Sequence, residues 1–367
     1  MHSSAWHSFE RRTTLESRVR GSIGRIQGCT IARSGESLAT ANSGDTHLFE
    51  SLVKLGFGIL VFVTVGAGCQ PFHAPTPLPP GLAADVAYLS SPALDGRATG
   101  TAGSDSAAVY IVRQYQRLGL SGAFQSACEL AHECPTSYFQ FFKVDGVVAQ
   151  NIGVMIPGTD SSLHDQYIVA GAHYDHLGHS SFGSRDPEAG LAIRPGADDN
   201  ASGSAALLEL ARRFAAHPPR RSVLLVHFDA EELGLVGSGV FVDHPPVPRQ
   251  AIVLMVNFDM VGRMRARRLI VDVSPTNAGL RALVDSAAHA VRLRVLFSSI
   301  TAGRTDNASF RLAGIQTVSL FTGFHYDYHR ATDVAARVYV PGIELAIDVA
   351  EAVVRAAANK PVDSARR

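Results

Sequence analysis

The sequence predicts an α/β fold: a three-layer helix-sheet-helix sandwich around a central, largely parallel mixed sheet. Three observations carry that expectation. From Leu82 onward short apolar runs alternate with amphipathic stretches of helical period, as strand and helix alternate in parallel sheets. Two of the runs, 222–228 and 251–258, are almost continuously apolar, as in central strands covered on both faces. Carboxylates and histidines stand just after several runs, where open α/β sheets gather their ligands.

The elements follow in order. Residues 104–118 have a helical period, with Ala107, Val109, Tyr110, Val112 and Tyr115 among the apolar positions. Residues 151–156 and 166–172 are short strand-like runs. Residues 202–217 predict a helix in which Asn200 or Ser202 can accept a hydrogen bond from the free amides of the first turn. Leu207, Leu208, Leu210, Ala211 and Phe214 form its buried face, and Pro218 ends it. Beyond the strands at 222–228 and 251–258 come a helix at 277–291, a strand at 316–321 and a last helix at 342–358. No repeat and no linker interrupts the chain after residue 80, so 82–358 is expected to be one domain and 359–367 a C-terminal tail.

The residues before this body differ. Residues 1–51 are rich in Ser, Arg, Thr and Gly without apolar period, the composition of a disordered extension, and translation starting near Leu52 or Val53 would account for it. Within 52–69, the apolar run 55–68 is shorter than the ~20 residues of a membrane span and suits a signal peptide. Small residues before Cys69 resemble a bacterial lipobox, in which that cysteine is lipidated, although Gly66 stands where Leu is usual. The alternative is a single-pass anchor. Either reading places the body outside the cytosol, as an exported protein of the cell envelope held to the membrane through Cys69 or the N-terminal segment. Residues 70–81 read as a Pro-rich tether, with five prolines between 71 and 80. Of the four cysteines, Cys128 and Cys134 favour a local disulfide, because the pair and His132 provide too few ligands for a closed zinc site. Lys plus Arg and Asp plus Glu are equal at 33 each and no basic patch dominates, which argues against a nucleic-acid partner.

The polar clusters carry the chemistry. They are His173-Tyr-Asp175, Gly196-Ala-Asp198-Asp199-Asn200-Ala-Ser-Gly203, Asp229-Ala-Glu231-Glu232-Leu-Gly234, Asn257-Phe-Asp259-Met260 and Tyr328-His329-Arg-Ala-Thr-Asp333. Such groups are costly to bury unless paired or bound to a cation. Imidazole and carboxylate together suit zinc, and two neighbouring ions need a carboxylate between them. Adjacent glutamates can supply one ligand and one base, since neighbouring side chains of an extended segment point apart. Asp175 can reach the far ring nitrogen of His173 and fix its tautomer.

With these motifs, 82–358 resembles the co-catalytic zinc aminopeptidases, the family of bacterial leucyl aminopeptidase, with glutamate carboxypeptidase and glutaminyl cyclase as relatives. The resemblance implies a zinc peptidase domain holding two Zn2+ ions and cleaving N-terminal residues from peptide substrates. It implies His173 and Asp259 on one zinc, Glu232 and His329 on the other, and Asp198 as the bridge. Glu231 would be the general base and Asp175 the partner of His173. A cis peptide bond would fall between Asp198 and Asp199. The chain departs from the family at Thr305-Asp306-Asn307, where Ser-Asp-His is frequent, and at Ala331, where Pro is common after His-Arg.

The remaining polar residues have plainer readings. His176, His179 and His325 match no ligand position and are taken as pocket wall or surface. Asp199 and Asn200 read as loop and helix-cap residues, Asp229 as a hydrogen-bonding residue or a ligand's partner, and Asp333 as a brace for the loop of His329. Arg263 and Arg330 are candidates for a substrate carboxylate, with surface solvation as the default. A catalytically dead binding module would lack ligands or base, and this chain keeps all six. A glutaminyl cyclase would have one zinc, and the intact His173-x-Asp175 argues against it.

Overall fold

The computed structural model describes residues 81–125, 136–163, 165–275 and 277–359. The expectations for 1–80, the Cys128–Cys134 pair and the tail beyond 359 lie outside the described residues. The described residues belong to one compact unit. No helix among them is long and apolar enough to cross a membrane.

Among the described residues, ten strands alternate with seven α-helices. A ribbon pairs β1 (Phe124–Gln125) with β2 (Thr136–Ser137) antiparallel. The other eight strands form one sheet in the order β3-β4-β6-β5-β7-β10-β8-β9. They are β3 (Phe139–Val144), β4 (Val147–Ile156), β5 (Tyr167–His173), β6 (Ser222–Phe228), β7 (Ile252–Phe258), β8 (Arg268–Val273), β9 (Arg294–Phe297) and β10 (Thr317–Phe321). The central strands β6, β5, β7 and β10 run parallel, β8 and β9 pair parallel, and β3, β4 and the β10–β8 junction are antiparallel. The sheet is therefore mixed, with its parallel part in the middle.

Side-chain alternation builds the three layers. In β6, Val223 and Leu225 belong to the larger core, while Leu224, Val226 and Phe228 belong to a smaller core on the opposite face. The larger core gathers α1 (Leu82–Leu89), α2 (Ala102–Arg117), α3 (Gly203–Ala216), α5 (Ala278–Ala290) and α7 (Val340–Asn359). The smaller takes Phe241 of α4 (Val236–Asp243) and Phe310 of α6 (Asn307–Leu312). Phe228, Phe241 and Phe310 meet there with ring centroids 5.6–6.0 Å apart, within the favourable range for aromatic pairs.

The expected helices and strands are all present, with ends shifted by a few residues. Eight elements have no counterpart among the sequence expectations: α1, β1, β2, β3, α4, β8, β9 and α6. α4 carries two glycines, which blur its period, and α6 has only six residues. Because β6, β5, β7 and β10 are parallel, their carboxyl ends lie along one edge of the sheet, and the polar clusters issue from that edge.

Candidate metal centre

Each polar group leaves the end of a parallel strand or the loop beyond it. His173 is the last residue of β5, Glu231 and Glu232 follow β6, Asp259 follows β7, and His329 lies in the loop after β10. Ala230, Met260 and His329 have φ of 57°, 52° and 58°, a region that non-glycine residues seldom occupy and that clusters at functional sites.

The side chains converge. His173 Nε2 lies 3.3 Å from Asp199 Oδ1, 3.7 Å from Asp259 Oδ1 and 3.9 Å from Glu231 Oε2. His329 Nε2 lies 3.1 Å from Asp199 Oδ2 and 3.3 Å from Glu232 Oε2. His173 is therefore brought to Asp259, and His329 to Glu232, with Asp199 turning one oxygen to each histidine. The metal-type groupings His173–Glu231–Asp259 and His176–Asp199–Glu232 each fit within 4.8 Å. Among the described residues no Arg or Lys comes within 4 Å of these four carboxylates. Nitrogen and oxygen donors packed this closely, without a basic side chain to neutralise them, are a set that suits two divalent ions.

Asp198 does not share this position. Its Oδ1 accepts from the Gly262 amide at 2.6 Å and the Ser202 hydroxyl at 3.1 Å, and its Oδ2 is 3.0 Å from His325 Nε2. All its bonds face the protein interior, so Asp199, and not the expected Asp198, is the residue that lies between the two histidines. The cis peptide bond correspondingly falls between Asp199 and Asn200, not between Asp198 and Asp199. Asp333 fixes this turn, its Oδ2 accepting from the amides of Asp198 at 2.8 Å and Asp199 at 3.2 Å. Its brace thus acts on the Asp198–Asp199 turn as well as closing the loop after His329. Gly196 is required beside it: its φ is +56°, and a Cβ there would meet Asp199 O at 2.1 Å.

Further partners hold the ligand-type residues. His173 Nδ1 lies 3.2 Å from the Asp175 carbonyl oxygen and 3.6 Å from its Oδ1. The Asp175 carboxylate also accepts from the amides of Glu231 at 3.1 Å and Glu232 at 3.3 Å, so it ties β5 to the Glu231–Glu232 turn. His329 Nδ1 faces the Gly183 carbonyl at 2.7 Å. Asn200 donates to Phe258 O and accepts from the Gly203 and Met260 amides, capping α3 as expected. Asp229 accepts from Thr99, Ala230, Gln150 and Tyr174 and serves the loop rather than the cluster.

Other sequence readings change. His176 is buried with Nδ1 2.7 Å from Glu232 Oε1, a partner of a ligand-type residue rather than pocket wall. His325 is likewise an interior residue, held against Asp198, while His179 is at the surface beside Asp95. Arg263 is held by Asp327 and Asp333 at 3.0 and 2.8 Å. Arg330 stacks over Tyr326. Neither lines the cleft. Arg97 is a structural residue that no motif marks: it is buried and donates to the carbonyls of Leu89, Tyr174, Pro195 and Gly196, pinning the loops under the cluster. Only its charged side chain in an otherwise ordinary loop could have signalled it. The Ala331 amide donates to Asp186 Oδ2 at 2.7 Å, a bond that proline could not make.

The two adjacent glutamates differ in electrostatics. Burial pushes Glu231 well above the usual carboxylate range, against the pull of His173. Burial and Asp199 also act to raise Glu232, but hydrogen bonds to His176 and His329 outweigh them and hold it at about 2. One carboxyl is thus poised to take a proton and its neighbour to remain an anion.

A cleft of about 310 Å³ opens over the cluster. Leu235, Met260, Phe321, Phe324 and Tyr328 supply apolar wall. Phe321 meets Phe324 and Phe324 meets Tyr328 with centroids 5.0 and 5.1 Å apart, a continuous aromatic side leading to His329.

Peptidase family M28 matches residues 151–354. Aminopeptidase YwaD of Bacillus subtilis (strain 168) is 30% identical over 183 residues, 48% of this chain and 36% of that protein. A probable lipoprotein aminopeptidase, LpqL of Mycobacterium tuberculosis, is 30% identical over 203 residues, 51% of this chain and 36% of that one. The chain thus spans little more than a third of the length of these curated relatives. A Zn-dependent exopeptidase from Parabacteroides distasonis has the same fold, with a TM-score of 0.60, 20% identity, and 76% of this chain and 97% of that chain covered.

Proposed function

The chain belongs to peptidase family M28, and from that premise we propose that it is a zinc-dependent aminopeptidase removing N-terminal residues from peptides. The observation that carries the reading is Asp199, whose two carboxylate oxygens each face a different histidine, at 3.3 and 3.1 Å. His173 and Asp259 would hold one zinc, Glu232 and His329 the other, and Asp199 would bridge them. Zinc in this site would supply Lewis-acid activation of a water and of the scissile carbonyl.

The protein's own groups do the rest. Glu231 is the general base: it takes the proton of the attacking water and delivers it to the departing amine, which leaves poorly as an anion. Its 3.9 Å separation from His173, beside a Glu232 that lies 2.7 and 3.3 Å from His176 and His329, supports that role over a ligand's. Asp175 orients His173 and holds both glutamate amides, so the base and the neighbouring ligand keep a fixed spacing. The aromatic wall shields the site from bulk water.

The apolar run before Cys69, together with the description of LpqL as a lipoprotein, supports export and a lipid anchor at Cys69. The reading of the site is tested by assaying the zinc-reconstituted protein on aminoacyl aryl amides while quantifying bound metal. Two equivalents of zinc and release of the free N-terminal residue are expected. A plateau at one zinc without amide hydrolysis would favour a cyclase instead.

A further inference from the structure

Among the described residues, most arginines near the site are engaged. Arg97 is held by backbone carbonyls, Arg194 by Asp186, and Arg263 and Arg337 by Asp327, with Asp333 also binding Arg263. Arg330 covers Tyr326 and lies 3.9 Å from Glu188. Two arginines differ. Arg185 and Arg304 both line the cleft, both are exposed, and among the described residues neither guanidinium has a hydrogen bond or a carboxylate within 4 Å. Arg185 lies over the Tyr328 ring, 4.8 Å from its centroid, and its amide donates to His329 O, so it is fixed at the His329 side of the site. Arg304 enters from the loop before α6, beside Thr301.

The charge balance gives these two a purpose. The cleft holds four carboxylates, from Asp199, Glu231, Glu232 and Asp259. Two divalent ions would balance them, leaving both guanidinia uncompensated in a concave, partly apolar site that concentrates their field. Guanidinium matches carboxylate geometrically and, being less strongly hydrated than ammonium, is the cation suited to such a site.

We infer that Arg185 and Arg304 form a subsite for a substrate carboxylate, making the enzyme selective for peptides with an acidic group beside the scissile bond. This rests on the proposed peptidase activity. The carboxylate has two sources: an acidic N-terminal side chain, or the C-terminal carboxylate of a dipeptide.

The test uses the zinc-loaded protein and its Arg185→Gln and Arg304→Gln variants. Calorimetric binding of glutamic acid α-hydroxamate against glutamine α-hydroxamate reads the side-chain source without turnover. The kcat/KM for Leu-Gly against Leu-Gly-amide reads the C-terminal source. In one of these pairs the acid should be preferred, and at least one variant should lower that acid-to-amide ratio by about 10- to 100-fold, the range for a hydrogen bond to a charged group. Arg304→Glu should reduce the ratio further. Tighter binding of the glutamate ligand that is lost in a variant would support the subsite even without peptide turnover, and would then count against the peptidase reading alone. Acid-to-amide ratios near one in the wild type, or unchanged in both variants, would overturn the subsite even if Leu-p-nitroanilide is cleaved well.

Discussion

Asp199→Asn is the perturbation that bears hardest on the proposed metal centre. The substitution keeps the shape of the side chain but removes its charge and turns one of the two oxygens into an amide nitrogen. In the native site Oδ1 is 3.3 Å from His173 Nε2 and Oδ2 is 3.1 Å from His329 Nε2, so either amide orientation deprives one ion of its oxygen. Losing a mere hydrogen-bonding partner of a ligand costs about 10- to 100-fold in metal affinity. Losing a shared ligand should cost at least ~100-fold on the same scale. Zinc measured after dialysis against graded zinc buffers should therefore fall below two equivalents where the wild type is full, and kcat should fall with it. Asp198→Asn is the matched control. Its Oδ1 accepts from Gly262 and Ser202 and its Oδ2 meets His325, so the new amide nitrogen can face His325 Nε2, and stability should drop by no more than about 1–3 kcal/mol. Its zinc should remain. An Asp199→Asn protein with two tightly held zincs, beside an Asp198→Asn protein that loses one, would return the bridge to Asp198 and refute the assignment of Asp199.

Glu231→Gln should keep both zincs yet lower kcat by at least ~100-fold, the low end of positioned acid–base catalysis, whereas Glu232→Gln should also lose metal; near-normal turnover in a fully loaded Glu231→Gln protein would remove Glu231 as the base. Stability should depend on pH through His227, buried with its Nε2 2.7 Å from the Tyr115 hydroxyl and held by burial at about 3. The unfolded chain takes up a proton below about pH 6.5 that the native imidazole refuses until about pH 3, so falling pH favours unfolding by about tenfold per unit across that window. Denaturant melts from pH 7 to 5 should show His227→Gln with a shallower slope than the wild type, and equal slopes would contradict the assignment. Mass spectrometry of protein from its native membrane should find an acylated Cys69 and no peptide from 1–68, and an unmodified Cys69 within a longer peptide would end the lipid-anchor proposal.

The parts of the fold legible in the sequence are those in which local pattern and tertiary burial agree. The strand at 222–228 is buried on both faces along its whole length, and the helix at 202–217 is bounded by an asparagine cap and a proline, so both could be read almost to the residue. β9 has four residues, two of them exposed at the sheet edge, and offers no such pattern. The site follows the same division. His173 and Asp259 were legible because a strand delivers each to the sheet edge, where direction is set by the element itself. The choice between Asp198 and Asp199 was not, because both stand in an irregular turn where neighbouring carboxylates point apart. What orients that turn is remote: the Gly262 amide claims Asp198, and Asp333 holds both backbone amides from 135 and 134 residues away. His176 escaped for a related reason, its partner Glu232 lying 56 positions on. The arginines make the same point in reverse. Arg263 and Arg330 looked suited to a substrate because they adjoin the motifs, but Asp327 and Asp333 bind the first, and Glu188 lies 3.9 Å from the second. Arg185 and Arg304 lie outside every motif and have no carboxylate within 4 Å among the described residues, so the proposed subsite is built from residues a motif cannot contain.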